Sequence, residues 1–280
     1  MSKLVTFGDG NLGIRSAAKR LCKQASRSSF FTSPPEHWDL KRIDSVFPNF
    51  IGDNLDFFKN NKRGMGLWIW QPALIMSVLR ETPEGEIICF LDAGCQLSPS
   101  MRALPRLKHY YELVEKSDFL FVQIRENSFG IKDLSETSWT KAECFEFFDL
   151  KERDLKSPQI QSGVIIVRNS ERVRDFASRW YENCKKNDYF LLKEESFSSK
   201  QSSSLVSHRY SQSILSLMVK EEQLQTILDE TYFYPNWRDG LDYPIWTMRN
   251  RSGGDAIRRN AIDLIKIGTA RIERNIRALF

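Results

Sequence analysis

Short apolar runs recur along the chain, separated by segments in which apolar and polar positions mix at a helical period. KLVTFG (3–8), EGEIICFL (84–91), DFLFVQIRE (118–126) and QIQSGVIIVRN (159–169) read as strands. Their near-continuous apolar character suits strands covered on both faces. SSFFTS (28–33) reads as a further short strand, LQTILDETYFYPNW (224–237) as a strand and turn, and PIWTMRNRSGG (244–254) as an extended segment. Helical patterning covers Ile14 to Arg27, the mixed stretch 36–62, Pro72 to about Glu81, 99–116, 139–150, 170–187 and 208–222. Pro72 suits a first helical turn and Ser170 an N-cap. A serine-rich loop is expected at 196–204. No segment repeats. Strands alternating with helices predict an α/β fold with a mainly parallel sheet flanked by helices, and such sheets bind ligands at strand C-termini.

Composition narrows this picture. A chain of 280 residues with 41% hydrophobic residues can bury a large core. It has no run of about 18 uncharged apolar residues, so no transmembrane helix is expected. The N-terminus already reads as a strand rather than a signal peptide. Five scattered cysteines without a CxxC pair point away from zinc or a disulfide framework and toward a reducing cytoplasm. The net charge of +5 is local: Arg249 to Phe280 carries eight basic and three acidic residues, and the rest balances. The expected division is therefore a domain over 1–254 and a basic amphipathic helix over 255–280. That helix either docks on the domain or lies on an anionic membrane surface. Nucleic acid is not expected, because the basic residues sit in one tail and no binding motif accompanies them.

The clearest chemical signal is FLDAGC (90–95). A buried strand ends in a lone acid, Asp92, between small neighbours, where a carboxylate can meet a ribose hydroxyl or a metal. GDGNLG (8–13) is literally GxGxxG, and Gly8 opens it; the acid that a dinucleotide fold would place after the second strand is missing. Trp68 and Trp70 stand in KRGMGLWIWQP (62–72), either as core anchors or as a cover for a ligand. Arg249 and Arg251, in RNRSGG, form either a diphosphate cradle or a solvated basic loop. His208 begins a helix and is available to cap, bind phosphate or move a proton. Lys141, near a helix start, is either a phosphate contact or a solvated lysine.

GMGLWIWQP, a helix, FLDAGCQL, QIQSGVIIVRN, HRYSQSILS and PIWTMRNRSG occur in that order. The series resembles a group of bacterial nucleotide-sugar glycosyltransferases of GT-A type with a GxGxWxWKP…DAGC pattern. The resemblance spans about residues 3 to 254. It implies a GT-A-like fold and a glycosyltransferase that uses a nucleotide sugar, with UDP-sugars favoured. The acceptor it implies is a glycan or lipid-linked molecule in surface polysaccharide synthesis, worked on in the cytoplasm or at the inner membrane face. Mn²⁺ or Mg²⁺ on Asp92 is the implied cofactor. Gln161 and Ser162 would face the sugar, with Gln71 nearby, and Asp229 or Glu230 would be the base of an inverting reaction; a retaining one is equally open. Three departures stand out. A DxD motif needs an acid at Gly94, and the group often has Lys at Gln71 and Asp at Ser211. They keep open an inactive binding or scaffold protein that retains the fold. A sugar nucleotidyltransferase fits less well, since GDGNLG has only Arg15 and Lys19 nearby.

Overall fold

The computed structural model describes residues 1–126, 130–195, 198, 201 and 203–254. The tail 255–280, expected as a basic helix, lies outside the described residues, as does part of the serine-rich loop.

A six-stranded sheet forms the centre. In chain order its strands are β1 (Ser2–Phe7), β2 (Glu36–Trp38), β3 (Ile87–Leu91), β5 (Phe119–Gln123), β6 (Ile160–Arg168) and β7 (Thr226–Leu228). They lie side by side as β2-β1-β3-β6-β5-β7. Only β6 runs against its neighbours; the other pairings are parallel. A separate antiparallel ribbon joins β4 (Gln96–Leu97) to β8 (Ile245–Trp246).

Both faces of the sheet are covered, as its apolar strands require. Alternate residues feed two cores. Val5, Ile88, Phe90, Phe119, Phe121, Ile165 and Val167 meet α2 (Trp70–Glu81), α4 (Glu171–Tyr189) and α5 (Ser211–Glu221) on one face. Leu4, Ile87, Cys89, Leu91, Leu120, Val122, Val164 and Ile166 meet α1 (Leu12–Arg27) and α3 (Leu104–Ser117) on the other. Ser170 caps α4 as its position suggested, accepting from the Val173 amide.

The second strand differs from expectation. SSFFTS is irregular, and β2 lies beyond the two prolines, at Glu36–Trp38. The phenylalanines mislead because Phe30 fills the second core without joining a ladder. The stretch after β2 is a series of short helices rather than one.

Register places one rim. Leu91 pairs with Val164, Gln123 with Ile160 and with Leu228. The C-terminal ends of β3, β5 and β7 therefore share an edge with the N-terminal end of β6.

Candidate functional site

Asp92 follows β3 at this rim. Its amide donates to Gly163 O at 2.9 Å, extending the β3–β6 ladder by one residue. A Cβ at Gly163 would stand 3.0 Å from Asp92 Oδ2, so the glycine leaves room for the carboxylate. The turn behind is held from below. Arg20, buried on α1, donates to Ala93 O at 2.7 Å and Cys95 O at 2.8 Å. Burial pushes the Asp92 carboxyl up to about 6, against the pull of Arg251.

The basic loop is strapped to the same place. The β4–β8 ribbon fixes residues 245–246, Thr247 N donates to Thr231 O at 2.8 Å, and Asn250 N donates to Gly94 O at 2.9 Å. A Cβ at Gly94 would lie 3.2 Å from Arg249 Cα, and one at Gly13 would lie 2.9 Å from Arg251 O. The exposed Arg249 and Arg251 thus sit between the Asp92 turn and the first turn of α1, whose end is capped by Asn11. FLDAG (90–94), GDGNLG (8–13) and RNRSGG (249–254), distant in sequence, form one edge. A helix N-terminus with guanidinium groups beside it favours an anion. Arg209 adds to them. Its guanidinium lies 3.9 Å above the Trp139 ring, and burial together with Arg249 lowers it to about 10.

Beside Asp92 lies a buried, uncharged polar cluster. Ser211 Oγ donates to Gln71 Oε1 at 2.8 Å, and Gln71 Nε2 reaches Ser162 Oγ at 3.4 Å. Ser162 in turn reaches Gln212 Oε1 at 3.4 Å. Gln71 and Ser211, two of the three positions noted in the sequence as departures from the group it resembles, therefore touch each other. Further along, Gln161 Nε2 contacts Thr231 Oγ1 at 3.2 Å and Asp229 Oδ1 at 3.5 Å. Thr231 donates its amide (2.8 Å) and its hydroxyl (2.6 Å) to that same oxygen. Asp229 Oδ2 is buried and, among the described residues, has no hydrogen-bond partner, and burial raises the carboxyl. An acceptor left bare in the interior is costly unless a ligand or water serves it.

Other residues singled out by sequence belong to the framework. Glu230 is engaged by Arg106 through both oxygens, at 2.5 and 2.6 Å, and by Tyr110. Both oxygens of this carboxylate are thus engaged within the fold. His208 is fully buried, with Nε2 3.0 Å from Leu191 O and Nδ1 facing the Lys141 amide. Burial lowers it to about 3, so it is neutral and no proton shuttle near pH 7. Lys141 is also buried and ties Phe190 O and Glu195 O together. It is neither a solvated lysine nor placed for a phosphate. Trp70 stacks on Phe7 at 3.8 Å and donates to Gly64 O, as a core anchor does. Trp68 is partly buried against Tyr210 at 5.7 Å, in a loop whose Met65 borders Gly10. Gly8 is needed for packing, since a Cβ there would collide with Ala18 at 2.5 Å and His37 at 2.8 Å. His37, Arg20, Arg209, Gly163 and Gln212 were not singled out by sequence. Arg20 and Arg209 look like ordinary surface arginines there, and only tertiary burial distinguishes them.

Asp92 is the one carboxylate of its turn, with guanidinium groups as neighbours. Among the described residues no group of three or more His, Cys, Asp or Glu side chains is placed to hold a metal. This donor set does not fit a two-carboxylate Mn²⁺ or Mg²⁺ site. No helix among the described residues is long and apolar enough to cross a membrane.

No family model matches the chain, and no curated protein matches it. Among solved structures it is similar to a glycosyltransferase involved in glycosylation of the major capsid of PBCV-1. That likeness has 11% identity and a TM-score of 0.46, over 94% of this chain and 98% of that one. It is also similar to mouse xyloside xylosyltransferase 1, with 13% identity and a TM-score of 0.45, over 85% and 90%. Likenesses this remote say nothing of donor or acceptor.

Proposed function

We propose that the chain is a GT-A-like glycosyltransferase that takes a sugar from a nucleotide-sugar donor, a UDP-sugar in the favoured case. The acceptor is a glycan or lipid-linked molecule of surface polysaccharide, worked on in the cytoplasm or at the inner face of the membrane. The observation that carries this is the convergence of Asp92, the first turn of α1 and the Arg249–Arg251 loop on one rim. Asp92 accepts from the ribose, and Arg249 and Arg251 hold the diphosphate. When the bond from the anomeric carbon to the diphosphate oxygen breaks, negative charge grows on that oxygen, and fixed guanidinium donors lower the barrier. In this reading arginines supply the charge that a metal supplies in DxD enzymes. Gln161 and Ser162 line the sugar side. In an inverting reaction the acceptor hydroxyl attacks the anomeric carbon and its proton passes to Asp229 Oδ2.

A second reading rests on Gly94. Its backbone contact with Arg249 leaves little room for a second acid, which suits a binding or scaffold protein that holds nucleotide sugars without turnover. Calorimetric titration with UDP-, GDP-, CMP- and dTDP-sugars, with and without Mn²⁺, tests both. The transferase reading expects one nucleotide to bind without Mn²⁺ and to weaken in Asp92→Ala. No binding by any of them sinks the donor site. Binding without sugar transfer to any acceptor favours the scaffold.

A further inference from the structure

The segment that leaves the site after Asp229 is unusually aromatic. Tyr232, Phe233, Tyr234 and Trp237 fall within six consecutive positions. Their rings form one contact series. Phe233 packs on Tyr243 at 5.2 Å, meets Trp237 edge-on at 6.5 Å and lies so close to Gly240 that a Cβ there would be 2.4 Å from its ring. Tyr232 and Tyr234 have ring centroids 6.4 Å apart and planes 30° from parallel. Trp237 meets Tyr232 edge-on at 5.6 Å and is propped from behind by the buried Trp246 at 6.2 Å. Tyr234 is 69% exposed, and Tyr232 and Trp237 are partly so.

Among the described residues this shelf lies outside the sheet and both large cores. It is anchored next to the site. Thr231, its first neighbour, bonds Asp229 and lies 3.1 Å from Thr247, two residues before Arg249. A half-exposed, pre-stacked set of rings presents flat apolar faces bordered by hydroxyls. Sugar rings have the matching character, apolar C–H faces rimmed by hydroxyls, and aromatic side chains gain from such contact at little entropic cost. Asn236, Arg238 and Asp239, all exposed around the shelf, are polar groups that suit a hydroxylated ligand better than a hydrocarbon one.

We infer that Tyr232, Tyr234 and Trp237 form a binding shelf for the acceptor, which is a neutral oligosaccharide chain whose terminal sugar reaches Asp229. This rests on the transferase reading for the direction of the chain, but the shelf is testable by itself. An array of neutral oligosaccharides is probed with the full chain, and the tightest binder is titrated by calorimetry against wild type, Tyr234→Ala and Tyr234→Phe. Tyr234→Ala is expected to weaken binding about tenfold, with Tyr234→Phe close to wild type and nucleotide-sugar affinity unchanged in both. Tyr234 is a surface residue, so neither variant should disturb folding. Equal oligosaccharide affinity in wild type and Tyr234→Ala overturns the proposal, as does a wild type that binds nothing on the array. Loss of binding to vesicles of phosphatidylethanolamine and phosphatidylglycerol, with oligosaccharide binding intact, also overturns it in favour of a lipid surface. If oligosaccharides bind through Tyr234 while no nucleotide sugar binds, the shelf stands and the transferase reading falls.

Discussion

Asp92→Asn separates what Asp92 does for folding from what it does for a ligand. The amide keeps the shape of the carboxylate and the backbone bond to Gly163, but it cannot ionise. In the folded chain burial raises the Asp92 carboxyl from 3.8 to about 6. The charged form is therefore disfavoured by folding. The wild type keeps its full stability only below about pH 4 and loses part of it as pH rises through 6. That interval corresponds to about 3 kcal/mol above pH 7, as an upper bound. For a chain this long it amounts to about 5 °C in melting temperature. Asp92→Asn should accordingly melt higher than wild type at pH 8, and the gain should shrink to nothing near pH 4. Thermal melts across pH 4 to 8 give the curve, and titration with the bound nucleotide sugar gives the cost to binding. A variant that is no more stable at pH 8, or one whose gain is independent of pH, would refute the placement of this carboxylate in a desolvated turn.

Three further outcomes follow from the geometry. Gly94→Asp completes a DxD on paper, but the new Cβ presses on Arg249, so it should cost about 1–3 kcal/mol and bring no Mn²⁺-dependent gain in nucleotide affinity; calorimetry with and without the metal decides. Gln71→Lys and Ser211→Asp each bury a lone charge and should each cost about 3 kcal/mol, whereas the double variant should recover much of the loss, and simple additivity in denaturant melts would mean the two side chains do not pair. His208 has a folded value near 3 against 6.5 unfolded, so it contributes stability above pH 6.5 that is lost as pH falls toward 3. His208→Gln should therefore flatten the acid limb of a stability–pH curve and leave nucleotide affinity between pH 6 and 8 unchanged.

Much of the fold can be read from the chain because its strands are buried on both faces and so stand out as unbroken apolar runs. GEIICFLDAG shows both a strand and its chemical end, and Asp92 could be picked out on that ground alone. β2 could not: three residues, Glu36–Trp38, carry less apolar signal than the phenylalanine pair before them. The site was legible where a residue's role depends on its own strand or loop. It was not legible where the role depends on a distant partner. Lys141 and His208 look like surface or catalytic groups until the backbone carbonyls of Phe190, Leu191 and Glu195 arrive to satisfy them. Glu230 looks as available as Asp229, its neighbour, until Arg106 claims it. Arg20 is one cation among several on α1, and only the close approach of the Ala93–Cys95 turn makes it a brace.

The reversed direction of β6 has a consequence for how this site can change. Every other strand at the rim reaches it by ending, and hands its residues to a loop. β6 reaches it by beginning, so Gln161, Ser162 and Gly163 lie inside the strand: Gln161 pairs with Val122 on one side, Gly163 O accepts from Asp92 N on the other, and the register to β5 shifts between them. One wall of the cleft is a fixed anvil and the other walls are adjustable jaws. Lengthening the loops at 92–95, 229–231 or 249–254 can reshape what the jaws admit. Only substitution, residue by residue, can alter what the anvil accepts.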